Sequence, residues 1–333
     1  AGSLGRAYAG AGVDGTDLSG VYYNPATMVL HKGTAIQMGF VGIGLNLDYV
    51  GEDANGNEVT ANGRNKSQAI PHGYIVHQIN DKAWFGLAMT VPFGMGTEYD
   101  NDWAGNEHGI SATILTFDLN PNFAFKLSEK FSVGFGASIQ YASADLKIRK
   151  NITGQLKDEM PSLPVSDASV RSEIDADSIA WGWNVGMMWS PLENLRFGVS
   201  YRSKITHDAE GDLSIDQLRV DSTIPGYDLT DTIAGGLSLK GTYGDMTGAA
   251  TVTAPAWAMA SVAWDVNDLV SLYGTFRWTD WSSFDELKID GDGQTVSTIP
   301  NKWRDTYLGS LGMDLRLTDW WTLRGGIAYE SSP

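Results

Sequence analysis

Bulky apolar residues alternate with small or polar residues over most of this chain. Between residues 83 and 95, one side of an extended segment would carry Phe85, Leu87, Met89, Val91 and Phe93. The same alternation returns in segments that begin near residues 131, 178, 195 and 321. A period of two residues is typical of a β-strand whose two faces meet different surroundings. The sequence therefore predicts an all-β fold.

The connections between these strands alternate in length. Taking the pattern from residue 34 to residue 330 gives about eleven strands. Short turns lie near residues 80–81, 128–130, 191–194, 265–268 and 318–319. Long polar segments lie near residues 51–66, 96–109, 150–177, 210–246 and 280–302. Short turns on one rim and long loops on the other are typical of a transmembrane antiparallel up-and-down β-barrel.

Alternation alone would also suit a soluble sandwich, with its bulky face turned inward. A sandwich gives no reason for the alternating lengths of the connections, and aromatic residues lie beside many of them, as in the two interfacial girdles of a barrel. The barrel is therefore the favoured interpretation. Its polar face carries several arginines, namely Arg196, Arg202, Arg277, Arg316 and Arg324.

The third strand is irregular because it contains Pro92. Proline has no N–H to donate to a neighbouring strand, so it belongs at an edge, a bulge or a strand end. A kink at Pro92 would leave a gap in the wall. The alternative is a proline at the rim with no further role.

Residues 1–32 differ from the rest because they are rich in glycine and show no period of 2 or 3.6. They predict a compact, irregular N-terminal domain, and the predicted strands follow in residues 33–333. The segment ends in Asn24-Pro25-Ala26, whose simplest interpretation is a turn. The pattern GxGxxG at residues 10–15 has neither the preceding strand nor the following helix of a dinucleotide site, so no nucleotide cofactor is expected.

Charge and composition exclude several functions. The net charge of −17 argues against nucleic acid as a partner. Without cysteine, the chain has neither disulfides nor a thiolate metal site. Neither HExxH nor GxSxG occurs, so we expect no catalytic residues, no metal and no cofactor. A hydrolase with its catalytic residues on separate strands stays open as an alternative.

Several short motifs, in this order and spacing, resemble a known family. They are LGRAYAG at residues 4–10, NPA at 24–26, GWNVG at 182–186, YRS at 201–203, WTDWSSF at 278–284 and RGGIAYESSP at 324–333. Together they are similar to the long-chain fatty-acid transporters of Gram-negative outer membranes, a family (FadL-like) that includes channels for aromatic hydrocarbons. The resemblance implies a fourteen-stranded barrel, here from residue 33 onward, that is plugged by an N-terminal hatch formed by residues 1–32. About three strands are then missing, so the chain is expected to be truncated after Ser331-Ser332-Pro333.

The resemblance also assigns roles to residues. It places a gate at Asn24, Pro25 and Ala26, and a lateral opening at Pro92, Phe93 and Gly94. The cations expected to hold a ligand head group are Lys150, Arg149 and Arg304, and the alternative is that they pair with acidic loops at the rim.

The expected function is passive transport of hydrophobic compounds across the outer membrane, above all of long-chain fatty acids. Apolar residues in the loops 150–177 and 210–246 would capture the ligand, or would simply pack against one another. The alternatives are a channel for aromatic or neutral hydrocarbons and, in another class, an outer-membrane lipid hydrolase or adhesin. The expected partners are hydrophobic small molecules and the lipid or lipopolysaccharide of the membrane, around a monomer.

Overall fold

A computed structural model describes residues 2–52, 56–64, 68–107, 109–239, 243–292 and 294–333. Within these residues, the α-helices are α1 Gly20–Tyr23, α2 Thr153–Glu159 and α3 Thr230–Leu239. The strands are β1 Thr34–Ile43, β2 Asp48–Glu52, β3 Glu58–Asn62, β4 Gln68–Asn80, β5 Ala83–Thr90, β6 Gly94–Glu98, β7 Ser111–Ser128, β8 Phe131–Asn151, β9 Val165–Leu192, β10 Leu195–Arg202, β11 Ile205–Ser222, β12 Gly244–Ala254, β13 Trp257–Asp265, β14 Val270–Thr279, β15 Glu286–Gly291, β16 Gln294–Pro300, β17 Thr306–Arg316 and β18 Thr322–Glu330.

Nearly all strands belong to one antiparallel sheet. Its main path runs β1-β4-β5-β7-β8-β9-β10-β13-β14-β17-β18, while β6, β11, β12, β15 and β16 attach along it. In the described residues the sheet is open, because β1 pairs with β4 alone and β18 with β17 alone. A closed barrel of fourteen strands therefore remains an expectation from the resemblance.

The sheet is inverted relative to a soluble protein. On β1 the side chains of Ile36, Met38 and Phe40 are 64%, 77% and 75% exposed. On the opposite face, Asn120 and Asn122 of β7 are fully buried. A soluble sandwich would bury the first set and expose the second. This arrangement suits a wall whose outer face meets lipid, and it contradicts the sandwich alternative.

Several strands run far beyond the segments that the alternation identified. The predicted loop 150–177 contains the first half of β9, and β11 with β12 occupies much of the predicted loop 210–246. The predicted bounds of these two loops were therefore wrong, although shorter connections remain between β8 and β9 and between β11 and β12. Outside the lipid a strand has no apolar outer face, so charged pairs such as Asp212 opposite Asp175 hide the period of two.

The N-terminal segment lies on the buried face of the sheet. It forms a 3-10 helix at Gly2–Arg6, the short helix α1 and a second 3-10 helix at Pro25–Leu30. Its apolar side chains pack against Val76, Trp84 and Ala124 on one part of the sheet and against Ala263 and Tyr273 on another.

Among the described residues, none of the helices has the length and apolar character needed to cross a membrane.

Candidate functional site

Asn24 is the central anchor of the N-terminal segment. Its fully buried side chain donates hydrogen bonds to the carbonyl oxygens of Gly12 (2.8 Å) and of Met187 on β9 (3.0 Å). Its Oδ1 accepts from the backbone N–H of Ala26 at 3.1 Å. One side chain therefore closes the segment on itself and ties it to the sheet.

Glycines in the sheet make room for this anchor. Gly134 on β8 lies directly opposite Gly186 on β9. A Cβ on Gly134 would come within 2.7 Å of the backbone nitrogen of Ala26, and one on Gly186 would collide with the Asn24 amide. The close approach of segment and sheet depends on these two positions having no side chain.

A buried ion cluster holds the start of the segment. Arg6 is fully buried, pairs with Asp14 and reaches Asp314 of β17 at 2.7 Å. Its guanidinium also lies 3.9 Å from the ring centre of Tyr273 on β14. Removing one partner of a buried ion pair leaves an uncompensated charge, so this cluster strongly favours the packed position of residues 6–14.

A hydrogen-bonded network of buried polar groups lies beside α1, with Arg202 at its centre. Arg202 donates to the hydroxyl oxygen of Ser138 (2.6 Å), to the carbonyl oxygen of Tyr22 (3.0 Å) and to Asn120 (3.0 Å). Its guanidinium stacks 4.1 Å from the centre of the Tyr22 ring. The network continues through Asn120 to Asn184 at 2.8 Å. A buried polar region of this kind resists the entry of an apolar molecule, which cannot replace these hydrogen bonds.

Above this polar region lies a cavity of about 750 Å³, within the range of ligand pockets. The N-terminal segment contributes Tyr8, Tyr22 and Tyr23 to its lining. The sheet and its connections contribute further aromatic and apolar groups, among them Ile70, Pro71, Tyr74, Trp257, Trp281 and Trp303. Among the described lining residues, Arg277 is the one Lys or Arg, and it is joined by His72 and Glu330.

The wall beside this cavity is interrupted where β5 ends at Thr90 and β6 begins at Gly94. The pairing of β4 with β5 stops at Gly73 opposite Met89. On the β7 side, the Thr116 hydroxyl accepts from the backbone N–H of Phe93 at 2.9 Å, so that edge remains joined. The β4 side has no such bond in the described residues. The interruption therefore borders the strand β4.

The interruption and the cavity share residues. Ile70, Pro71 and His72 of β4 line the cavity, and so do Thr90, Val91, Pro92 and Phe93 across the interruption. Farther along, the wall is joined again, because the N–H of Arg64 donates to the carbonyl oxygen of Glu98 at 2.6 Å. The cavity therefore adjoins a short stretch of the sheet in which β4 and the segment around Pro92 are not paired.

Over residues 1–333 the sequence matches the family described as Outer membrane protein transport protein (OMPP1/FadL/TodX). The chain belongs to this family. It is therefore an outer-membrane transport protein for hydrophobic compounds and not an enzyme, as the sequence predicted.

Individual relatives agree with this assignment. A long-chain fatty acid transport protein of Escherichia coli O6:H1 is 29% identical over 346 residues, covering 99% of this chain and 75% of the relative. The crystal structure of a Pseudomonas aeruginosa FadL homologue, 26% identical, aligns with a TM-score of 0.87 over 99% of this chain and 79% of that one. The Pseudomonas putida toluene transporter TodX shares the fold, with a TM-score of 0.75 at 18% identity over 99% and 82% of the two chains.

The three cations predicted from the resemblance to this family are not among the described residues that line the cavity. Arg149 is buried and donates to the carbonyl oxygen of Gln217 at 3.2 Å. Lys150 is half-buried near the end of β8, opposite Val170 of β9. Arg304 is exposed and follows Trp303, which lines the cavity. Their role as head-group ligands remains a prediction.

The segments 150–177 and 210–246, which combine strand ends with helical connections, share an apolar core that includes most of their apolar residues. Leu156 of α2 packs with Leu213 and Ile215 of β11 and with Ile233 of α3, and all four are buried. This supports the simpler of the two interpretations, in which the loops pack against one another. Ile224 is an exception, since its side chain remains exposed.

Sequence reasoning missed Arg6, Arg277 and Glu330 as residues of the site. Alternation placed Arg277 on the polar face but could not show what it faces. Glu330 lies two strands away from Arg277, with β17 between them. Leu308 of β17 is opposite Arg277 on one side and opposite Glu330 of β18 on the other. The pair could have been found from one basic and one acidic residue at inward-facing positions of strands that lie close together in the sheet.

Proposed function

We propose that this protein is a passive channel for hydrophobic molecules, above all long-chain fatty acids, and that residues 1–32 act as its plug and gate. The observation that carries the proposal is the position of the cavity. It adjoins the N-terminal segment through Tyr8, Tyr22 and Tyr23 and the interrupted strand through Pro92 and Phe93. One site therefore touches both elements that would have to let a ligand pass.

The lining of the cavity supports an apolar ligand. Aromatic and aliphatic side chains dominate it, with a few polar groups that could orient one end of the molecule. A second, small apolar cavity of about 80 Å³ shares Phe93, Trp281 and Trp303 with the first. The shared residues would let an acyl chain extend from one space into the other.

The proposed exit is lateral, between β4 and the interruption at Pro92, Phe93 and Gly94. The route along the axis of the sheet passes the N-terminal segment, which Asn24, Arg6 and Arg202 hold with buried polar bonds. Sideways, the ligand would pass apolar groups such as Ile70 and Val91. An apolar molecule loses least free energy along a path that requires no broken buried hydrogen bonds.

The proposed entrance is on the side of the long loops, where Lys150, Arg149 and Arg304 are expected to attract a carboxylate. The exposed side chain of Ile224 offers an apolar contact there. Aromatic hydrocarbons are the second candidate ligands, and they are favoured by the indoles of Trp257, Trp281 and Trp303 around the cavity.

Uptake tests this proposal directly. Cells that carry the protein in their outer membrane are given labelled oleate or labelled toluene, and Lys150→Ala and Arg304→Ala variants are compared with the parent. Oleate uptake that falls in the variants while toluene uptake is unchanged supports a fatty-acid channel with cations at its entrance. Uptake of toluene alone would indicate that the channel transports neutral hydrocarbons and not fatty acids. Uptake of neither would refute the proposed function.

A further inference from the structure

Arg277 is the one Lys or Arg among the described residues that line the cavity. It lies on β14 with the same parity as Tyr273 and Thr275, whose side chains are buried, so it faces inward. Its side chain is 28% exposed and lines the cavity. A guanidinium in such surroundings needs a partner, because a charge withdrawn from water without one is costly.

That partner is Glu330 on β18. The Nη2 of Arg277 lies 3.1 Å from Oε1 of Glu330, whose side chain is 40% exposed and also lines the cavity. The contact is made through one nitrogen, and no second bond between the two groups occurs among the described hydrogen bonds. Arginine and a carboxylate can form two parallel hydrogen bonds, so the bond to Glu330 leaves other N–H donors of the Arg277 guanidinium unused.

Other groups around Arg277 are suited to an anion. The Nε of Arg277 is buried and has no hydrogen-bond partner in the described part of the chain. The phenols of Tyr22 and Tyr23 line the same cavity. Burial raises the pKa of both phenols, so they remain protonated and can donate a hydrogen bond.

We propose that Arg277 binds the carboxylate of an amphipathic ligand inside the cavity, and that Glu330 is the counter-ion which occupies Arg277 until the ligand arrives. The apolar tail would then lie along Trp257, Trp281 and Trp303. This inference rests on the proposed function and sharpens it, because it assigns the ligand an anionic end and names the residue that selects for it.

The exchange has a physical basis. Glu330 is held through a single hydrogen bond to Arg277, so the ligand has only one contact to displace. The incoming carboxylate gains a charge-assisted bond to the guanidinium nitrogen that Glu330 vacates. Glu330 therefore competes with the ligand, and removing its charge should strengthen ligand binding.

The test measures binding to the purified protein in detergent micelles, with quenching of tryptophan fluorescence as the signal. The ligands are oleate and oleyl alcohol, which have the same chain and differ in charge. In Arg277→Met we expect the affinity for oleate to fall at least tenfold, with less than a twofold change for oleyl alcohol. In Glu330→Gln we expect oleate to bind at least threefold more tightly, again with the alcohol unchanged.

A matched control is Arg196→Met. Arg196 also faces inward, is partly buried and pairs with a carboxylate, Asp265 at 3.5 Å, but it lies outside the cavity lining. It should leave both affinities unchanged. Folding of each variant is checked by the heat-dependent shift in gel mobility that is typical of folded barrels.

The outcomes separate the two proposals. Unaltered oleate binding in Arg277→Met, or an equal loss for the alcohol, would overturn the assignment of Arg277 while leaving a hydrophobic channel in place. Weaker oleate binding in Glu330→Gln would overturn the role of Glu330, and this variant decides the matter alone if Arg277→Met does not fold. A parent protein that binds neither ligand would instead count against the proposed function.

Discussion

Asn24 offers the sharpest test of how the N-terminal segment is held. Replacing it by alanine removes the acceptor for the N–H of Ala26 (3.1 Å) and the donor for the carbonyl oxygen of Gly12 (2.8 Å), both in buried bonds. It also removes the donor for the carbonyl oxygen of Met187 (3.0 Å), but that bond is only partly buried, so water can replace it. Each buried group left without a partner costs about 1–3 kcal/mol. Two such groups would therefore destabilise the packed segment by about 2–6 kcal/mol. At the lower limit the open state becomes about thirtyfold more populated.

Hydrogen–deuterium exchange of the backbone amides of residues 10–28, in detergent, measures this population. We expect exchange there to accelerate at least thirtyfold in Asn24→Ala. Exchange in the isosteric variant Asn24→Asp should be at least as fast as in Asn24→Ala. The aspartate would place a carboxylate against the carbonyl oxygens of Gly12 and Met187. Asn267→Ala is a suitable control, since its side chain caps an exposed turn. Exchange within twofold of the parent in both Asn24 variants would refute the anchoring role.

Three further predictions concern other contacts of the fold. Asp314→Asn should destabilise the protein by about 3 kcal/mol, because it leaves the buried Arg6 charge with one partner fewer, and the thermal unfolding midpoint reports this. Pro92→Val with Gly94→Thr should restore a regular strand and reduce oleate uptake at unchanged protein levels; full uptake would contradict the lateral route. Leu213→Asp should disrupt the external apolar core, and faster protease cleavage within residues 153–163 would reveal it.

The faces of the strands could be predicted from the sequence because the membrane imposes a strict rule on them. Where the wall meets lipid, every second side chain must be apolar, so Phe85 or Trp183 identifies its own face. The strand interruption also lies where Pro92 predicts one, since a missing N–H is a local property of the residue. Whether that interruption opens to the membrane is a separate proposal.

Other features depend on register and could not be found from local patterns. Arg277 and Glu330 meet only because Leu308 lies opposite both, across two strand pairs. A shift of one residue in either pair would turn Glu330 toward the lipid. The sequence pattern also failed to predict the extended parts of β9 and β11. Outside the lipid, the two faces of these strands do not differ in polarity.

The inverted sheet and the N-terminal segment explain each other. A sheet that turns its apolar face outward must place its polar face inside, and there Asn120, Asn184 and Arg202 are buried. Such groups need partners or water, and Arg202 finds one in the carbonyl oxygen of Tyr22. Withdrawing the whole segment would expose or orphan these groups together, at a cost that a passive channel has no energy source to meet. A small shift of α1 beside the cavity breaks few of these bonds, and for that reason the proposed route runs sideways past Pro92 instead of straight through the plug.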